Sequence, residues 1–214
     1  MDLKLFYSPG ACSLGAHILL EEAQAPFEAV RVTIAEGATQ TPEYLAINPH
    51  ARVPALQAEG RNIAESAGVM TYIARRFPAA KLIPDDPLDA ARVYELLSFF
   101  SSSVHIAFAQ IWRAGRFVEG DAHFEPVQAK GKATVTGYCA EIDQLVSGKD
   151  YLVGDTITAA DVYPLVFLRW ANRVGIDTRP FAHWRSHGER MLARPAVQRA
   201  IASEGLKREE FLPA

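Results

Sequence analysis

Cysteine is scarce in this sequence, which holds two among 214 residues. Cys12 and Cys139 lie far apart in the chain, so they form no CxxC pair, no cluster of metal ligands and no disulfide framework. We therefore expect no metal site, and any thiol chemistry has to use a single cysteine.

Long hydrophobic runs and a large excess of charge are also missing. No segment approaches the roughly 20 consecutive apolar residues that a membrane-spanning helix needs, and the start of the chain is too quickly interrupted for a signal peptide. The net charge of -3 gives no electrostatic reason to expect nucleic acid or an anionic membrane as partner. The sequence thus predicts a cytoplasmic protein that binds neither.

The first third of the chain alternates strand-like and helix-like segments. Residues 3–7 are strand-like, and a Ser-Pro-Gly turn and apolar positions at helical spacing follow. Residues 30–34 alternate as a second strand, at a distance that suits a parallel crossover. Short strands at 53–56 and 61–63 are joined across a glycine-containing turn, and a helical pattern covers 65–76. The predicted order is β-α-β-(α)-β-β-α.

The rest of the chain shows only helical patterns. A proline-rich stretch predicts an unpacked linker and divides the chain into residues 1–78, a linker at 79–88 and an all-helical part at 89–214. The capping-box pattern Thr158–Asp161 predicts the start of a buried helix. Pro164 is expected about one and a half turns into that helix, where it would remove a hydrogen bond and can bend the axis.

Cys12 is expected where the first strand turns into the first helix. Backbone N–H groups and the positive end of the helix dipole would face its sulfur there and favour the thiolate. A lone cysteine is more commonly a small buried hydrophobe, and position alone does not separate the two interpretations. Cys139 lies mid-helix among apolar residues, which predicts a packing role.

Two further patterns suit a peptide-like ligand. Val53-Pro54 follows a loop and begins a strand, where a cis proline leaves the N–H and C=O of Val53 free at a sheet edge, although a trans proline is the commoner case. Glu65-Ser66 opens a helix, so Ser66 and its neighbouring N–H groups can receive a carboxylate while Glu65 accepts from an ammonium group. Such a pair is more often only a helix N-terminus.

The helical part offers one histidine and an apolar face. His105 lies midway along the first long helix, where histidine is usually a satisfied core or interface residue, although its near-neutral reference pKa also suits hydrogen bonding to a thiolate. Phe108, Ile111 and Trp112 either line a pocket for an apolar or aromatic group or form ordinary helical core. Of the three, Trp112 is expected to reach the cleft.

Several motifs, taken in order, resemble the bacterial beta-class glutathione transferases over essentially the whole chain. They are YSPGACSL at 7–14, YLAINP at 44–49, VPAL at 53–56, ES at 65–66, ITAAD at 157–161, LRWA at 168–171 and SEGL at 203–206. The resemblance implies an α/β plus all-α fold, with a thioredoxin-like domain followed by a helical bundle. It also implies a homodimer, with glutathione as co-substrate and no permanently bound cofactor.

The resemblance further implies roles for the residues singled out above. Cys12 and His105 map to the catalytic positions, and a cis Val53-Pro54 would pair with the cysteinyl part of glutathione. The remaining residues implied to bind glutathione are Tyr7, Ser13, Arg52, Glu65 and Ser66, of which Ser13 and Tyr7 are alternatives to Cys12 as donors to the thiol. Thr158 and Asp161 match a folding motif of the family.

The reaction implied is attack of the glutathione sulfur on an electrophilic carbon. Two alternatives remain, a monothiol glutaredoxin-like exchange through Cys12 and a non-catalytic binding or regulatory protein on the same fold. Polar positions also depart from the family pattern, because residues 33–41 lack a lysine and Ser98, Ser103 and Ile106 replace polar or charged residues around His105. Each lost contact could cost about 0.5–1.5 kcal/mol, which predicts modest glutathione affinity.

Overall fold

The computed structural model describes residues 3–213. Its first part alternates strands and helices, in the order β1 Leu3–Tyr7, α1 Ser13–Glu22, β2 Glu28–Arg31, α2 Pro42–Leu45, β3 Ala55–Ala58, β4 Arg61–Ala64 and α3 Ser66–Arg76. This order confirms the predicted β-α-β-(α)-β-β-α succession.

The four strands form one mixed sheet in the order β2-β1-β3-β4. β1 runs parallel to β2 and antiparallel to β3, and β3 and β4 form an antiparallel hairpin. Leu5 pairs with both Ala29 and Leu56, and the side chains of Leu5 and Leu56 are fully buried in the same core as helices α1 and α3. The C-terminal end of β1 and the N-terminal end of β3 therefore lie side by side, with their loops near the first turns of α1 and α3.

Two predicted strands need small corrections of their boundaries. β3 covers Ala55–Ala58 rather than residues 53–56. β2 ends at Arg31, and Ile34 lies in a 3-10 turn rather than in the strand. In the β3–β4 hairpin, Glu59 and Gly60 have φ values of 53° and 74°, and two successive positive φ angles are typical of the type I′ turn that matches strand twist.

The second part is helical throughout. It comprises α4 Pro87–Phe99, α5 His105–Trp112, α6 Phe124–Leu145, α7 Val162–Arg173, α8 Ala182–Leu192 and α9 Pro195–Glu204. α7 is buried on nearly all sides, which explains its almost continuous run of apolar and aromatic residues. Cys139 on α6 is buried among apolar side chains, as the packing prediction for it requires.

The stretch between the two parts is packed rather than loose. Leu82 is fully buried, Ile83 nearly so, and the carbonyl of Leu82 accepts a hydrogen bond of 2.7 Å from the amide of Ala159. The prediction of an unpacked linker from its prolines is therefore wrong for these two residues. α4 also begins at Pro87, capped by the Asp86 carboxylate, two positions before the predicted start of the helical part.

The Thr158–Asp161 segment begins a buried helix, as predicted. The Asp161 carboxylate accepts from the amides of Leu152 and Thr158, both at 2.8 Å, and from the Thr158 hydroxyl at 2.9 Å. Pro164 is the third residue of α7, not one and a half turns into it. Its missing N–H is one of those that a helix start leaves without an intrahelical partner, so the proline fits this position without loss.

Among residues 3–213, no helix is both long and apolar enough to cross a membrane.

Candidate functional site

Cys12 lies at the N-cap of α1, directly after the loop that follows β1. Its side chain is only 6 % exposed, and its Sγ donates a hydrogen bond of 3.3 Å to the carbonyl of Val53. Burial raises the pKa of this thiol to about 11, although the nearby Ser66 hydroxyl acts in the opposite direction. Burial therefore opposes the thiolate that the helix N-terminus would favour, and a pKa of about 11 describes Cys12 as a neutral donor at pH 7.

The loop before β3 is fixed by side chains from a neighbouring helix and turn. The carbonyl of Arg52 accepts from the Tyr44 hydroxyl and from the Asn48 side-chain amide, each at 2.7 Å. The next peptide bond, Val53–Pro54, is cis, which confirms the less common of the two interpretations. Val53 is buried and faces Cys12 through its carbonyl, while the Arg52 side chain is exposed.

The first turn of α3 provides the third side of this site. Ser66 is the first residue of α3 and is 7 % exposed, and Glu65 precedes it with a φ of 65°, a conformation that non-glycine residues rarely adopt. The Glu65 carboxylate is exposed and lies 3.5 Å from Nδ1 of His50. A hydroxyl, helix amides and a carboxylate therefore meet next to Cys12, in the arrangement that a zwitterionic group requires.

The two alternative thiol donors have other contacts. The Ser13 hydroxyl is fully buried, accepts from the amide of Ser8 at 3.2 Å and donates to its carbonyl at 3.3 Å. Tyr7 is 6 % exposed, and its ring centroid lies 5.3 Å from that of His17. Burial, and after it the charge of Glu204, raises the pKa of Tyr7. Ser13 therefore holds the loop, and of the three candidates only Cys12 directs its donor toward Val53.

His105 follows a π-helical turn that the sequence did not reveal. Residues 100–104 form this turn between α4 and α5, and the hydroxyl of Ser101 bonds back to the carbonyl of Leu97 at 2.7 Å. Such turns insert one extra residue into a helix and are frequent at functional sites. The His105 ring lies edge-on to Trp170, with 5.0 Å between centroids. Burial, aided by the charges of Arg113, Arg116 and Arg52, lowers its pKa to about 4, so the imidazole is neutral at pH 7.

Trp170 and Arg169 on α7 clamp the loop that carries Cys12, and sequence reasoning did not assign them to the site. The carbonyl of Gly10 accepts from Trp170 Nε1 at 2.8 Å and from Arg169 Nη1 at 3.0 Å. Gly10 has a φ of 66°, and a Cβ there would lie 2.2 Å from the Arg169 guanidinium. A side chain at position 10 would therefore clash. Arg169 and Trp170 belong to the LRWA motif quoted for the family resemblance, but that motif does not reveal that they bond to Gly10.

A buried carboxylate holds the same glycine from the other side. Glu204, on α9, accepts from the amide of Gly10 at 2.7 Å through Oε2, and its Oε1 lies 3.0 Å from Nδ1 of His17. Both Glu204 and His17 are buried. The loop between β1 and α1 is thus tied to three residues of the helical part.

One further buried polar group faces this region. The Tyr163 side chain on α7 is fully buried, and among the described residues its hydroxyl has no hydrogen-bond partner. Burial, and the charge that Cys12 would carry if ionised, raise the pKa of this phenol, and the Ser66 hydroxyl lowers it. Tyr163 therefore lies near both Ser66 and Cys12, a proximity that the helical pattern of α7 could not reveal.

The three residues predicted to line an electrophile pocket lie in different environments. Trp112 is 45 % exposed and packs edge-on against Trp170, with 5.0 Å between centroids. Phe108 is 1 % exposed and stacks behind it, so it supports the wall and does not line it. Ile111 lies against Gly131 of α6. Phe108 therefore fits the alternative of ordinary helical core, and Trp112 is the exposed residue of the three. That Ile111 and Trp112 line a pocket stays a prediction.

The structure thus brings Cys12, Val53 and Ser66 together, with His105 on the opposite, helical side. Among residues 3–213, no hydrogen bond joins Cys12 to His105. They are connected through Trp170, which bonds to Gly10 and contacts the imidazole ring.

Comparison with known proteins gives the same division of the chain into two parts. Residues 1–75 match the family model of the glutathione S-transferase N-terminal domain, and residues 104–195 match that of the C-terminal domain. The glutathione S-transferase GST-4.5 of Xanthomonas campestris pv. campestris is 32% identical over 206 residues, covering 95% of this chain and 100% of that protein.

Solved structures agree with this similarity. A glutathione transferase homologue from Sulfitobacter, solved with bound glutathione, is 31% identical with a TM-score of 0.91 and covers 97% of this chain and 100% of that one. A bacterial beta-class glutathione S-transferase of Sphingomonas chungbukensis is 33% identical with a TM-score of 0.85, covering 95% and 100%. With two domain models, full-length similarity and the same arrangement of sheet and helices, this chain belongs to the glutathione S-transferase family.

Proposed function

We propose that this protein joins the sulfur of glutathione to hydrophobic electrophiles. The observation that carries the proposal is the convergence of Cys12 Sγ, the Val53 carbonyl and the Ser66 hydroxyl at the first turns of α1 and α3. This arrangement has the polar groups that a γ-glutamyl-cysteinyl peptide needs, and the structural neighbour from Sulfitobacter was solved with bound glutathione.

Glutathione would lie across the N-terminal ends of β3 and α3. Its γ-glutamyl carboxylate would take the amides and hydroxyl at Ser66, and its ammonium group would take the exposed carboxylate of Glu65. Its cysteinyl N–H and C=O would pair with the backbone of Val53, whose position is fixed through the carbonyl of Arg52. The exposed Arg52 guanidinium would add a positive charge at the rim.

Chemistry would begin with loss of the proton of the glutathione thiol to solvent. The neutral Cys12 S–H would then turn from the Val53 carbonyl to the glutathione thiolate and lower its pKa, and the start of α1 would add a favourable dipole. The thiolate attacks the electrophilic carbon, a new C–S bond forms, and the leaving group departs with the electron pair of its bond. With a pKa of about 4, His105 is a poor base at pH 7, so its role is hydrogen bonding at the cleft.

The glutaredoxin-like alternative fits this site poorly. Thiol–disulfide exchange requires the thiolate, and a pKa of about 11 leaves roughly one Cys12 in 10⁴ ionised at pH 7. A non-catalytic binding protein would keep the glutathione site without needing a reactive thiol. Turnover therefore separates conjugation from both alternatives.

Assembly and location complete the proposal. We expect a homodimer in the cytoplasm, because the chain is similar to a bacterial beta-class glutathione S-transferase. Analytical ultracentrifugation tests the first expectation, with a mass twice the 23.5 kDa chain as the expected result.

The decisive experiment combines calorimetric titration of glutathione with a conjugation assay on an aromatic halide. Saturable binding and turnover are expected for the unaltered protein. Cys12→Ala should keep binding and lose about 10-fold or more in turnover, because one donor to the thiolate is gone. Cys139→Ala, the matched removal of the other buried cysteine, should leave both values unchanged. Absence of binding at millimolar glutathione would contradict the proposal.

A further inference from the structure

Three arginines from both parts of the chain lie on the exposed side of the site, which we call its mouth. Arg52 immediately precedes Val53, Arg113 follows the last residue of α5, and Arg116 ends the 3-10 turn Ala114–Arg116. All three side chains are exposed. In a protein with a net charge of -3, this is a local reversal of sign next to the site.

None of these guanidinium groups has a carboxylate or hydrogen-bond partner within residues 3–213. This contrasts with Arg169, Arg194 and Arg199, whose guanidinium groups each bond to a glutamate. The nearby carboxylate of Glu65 lies next to His50 instead. The positive charge at the mouth is therefore uncompensated by the chain itself.

The three charges reach one another and the reaction centre. Arg113, Arg116 and Arg52 each contribute to the lowered pKa of His105, and Arg113 also acts on the pKa of Cys12. Arg52 and Arg113 act in turn on the pKa of Arg116. The geometry agrees, because Arg113 follows Trp112, whose ring lies 5.0 Å from that of Trp170, and Trp170 lies 5.0 Å from the His105 ring. On the other side, Arg52 precedes Val53, whose carbonyl accepts from Cys12.

An aromatic surface adjoins the charges. Trp112 precedes Arg113 and is exposed toward solvent beside Trp170, and Phe117, which is 38 % exposed, lies with its ring centroid 6.0 Å from the Arg116 guanidinium carbon. A flat apolar group can pack on these rings while a negatively charged substituent reaches the guanidinium groups. Arginine is well suited to this because its planar fork binds a carboxylate through two parallel hydrogen bonds.

We propose that Arg113 and Arg116, with Arg52 at the opposite edge, form an anion subsite at the mouth of the cleft that selects aromatic electrophiles carrying a carboxylate. This inference rests on the proposed function, whose electrophile it specifies. The same carboxylate chemistry has a second possible source, the glycyl end of glutathione, so the experiment has to separate the two sources.

The test uses two electrophiles with the same reacting carbon, the anion 4-chloro-3,5-dinitrobenzoate and its neutral methyl ester. Chloride leaves from the same carbon in both as the glutathione sulfur adds. The ratio of kcat/KM for the carboxylate to that for the ester is compared between the unaltered protein and Arg113→Gln/Arg116→Gln. We expect the ratio to fall at least 10-fold in the double variant. Added salt should lower the ratio in the unaltered protein only.

The matched control is Arg61→Gln. Arg61 is an exposed arginine at the start of β4, next to the hairpin and at the far end of β3 from Val53, and it too lacks an ion-pair partner within residues 3–213. Its loss should leave the ratio unchanged. An equal fall in the ratio for Arg61→Gln would mean that only overall charge matters and would overturn the subsite.

The source of the carboxylate is resolved with glutathione and its glycyl ethyl ester. If the arginines bind the electrophile, the double variant changes the KM of the carboxylate and leaves the KM of glutathione unchanged. If they bind the glycyl end, the KM of glutathione rises, the ethyl ester abolishes the difference, and the proposal is wrong. Calorimetry with the two finished glutathione conjugates provides a readout without turnover, and equal affinities in the unaltered protein would also refute it. Failure of the proposed function would look different, because the unaltered protein would then show neither glutathione binding nor turnover of the methyl ester.

Discussion

The two halves of the cleft are built in opposite ways. In the loop from β1 to α1, Gly10 and Cys12 are buried, and Gly10 is held through its amide by Glu204 and through its carbonyl by Arg169 and Trp170. The segment after α5 is exposed, and Arg113 and Arg116 have no partners in the described chain. The loop held at Gly10 suits a co-substrate that stays the same. The exposed, charged segment after α5 can change its side chains without disturbing the fold.

A single methyl group added at Gly10 should destabilise the fold strongly. Gly10→Ala would place a methyl group 2.2 Å from Arg169 in a backbone conformation with a φ of 66°. We expect a loss of about 3 kcal/mol or more in the free energy of unfolding, from strain and from displacement of a buried cation. Urea denaturation measures it. Gly60→Ala, at a similar φ with no atom within 4 Å of its Cβ, separates the cost of strain from that of the clash.

The stability of the folded protein should depend on pH through His105. Because the folded-state pKa of His105 is about 4 and the unfolded value about 6.5, the unfolded chain binds more protons between these values. Stability should therefore fall as pH decreases from 6.5 to 4, by at most about 1.4 kcal/mol per pH unit from this group. Unfolding curves of the unaltered protein and His105→Gln should converge over that range. A constant difference between them would mean that His105 titrates normally.

Substitution of the exposed Trp112 should reduce activity more than stability. Trp112→Ala removes a side chain that is 45 % exposed, so we expect a loss of about 1–2 kcal/mol, and a fall of about 10-fold in kcat/KM for aromatic electrophiles. Phe108→Ala, in the core behind it, should cost about 3–5 kcal/mol. Thermal unfolding and the conjugation assay are compared for both. A larger stability loss at Trp112 than at Phe108 would contradict the contrast between wall and core.

The smallest expected effect concerns Tyr163. Its hydroxyl is buried without a partner among the described residues, so Tyr163→Phe should leave the free energy of unfolding unchanged or raise it by about 1 kcal/mol. Denaturant unfolding tests this. If the variant is instead less stable, the hydroxyl has a partner in the folded protein, and the neighbouring Ser66 is the first group to examine.

Local patterns were sufficient for the strands, the helices and the start of α7. Apolar spacing gives the element order, and the Thr158–Asp161 pattern marks a helix start, because both depend on residues a few positions apart. The strand boundaries and the buried Leu82 were missed, since tertiary packing decides them.

The site itself was predictable only in part. Cys12, Val53, Ser66 and His105 follow from motifs, but the protonation state of Cys12 depends on burial that no local pattern reveals. The clamp on Gly10 is formed by residues up to 194 positions away, and the π-helical turn before His105 has no clear sequence signal. Long-range contacts therefore account for most of what was missed.

The clamp on Gly10 also orders events during synthesis. A ribosome releases the loop that bears Cys12 early, whereas Arg169, Trp170 and Glu204 emerge much later. Until they arrive, both polar groups of the Gly10 backbone lack their final partners, so the loop that bears Cys12 is not yet held in place. We therefore expect a chain truncated before α9 to remain inactive even if its sheet has formed.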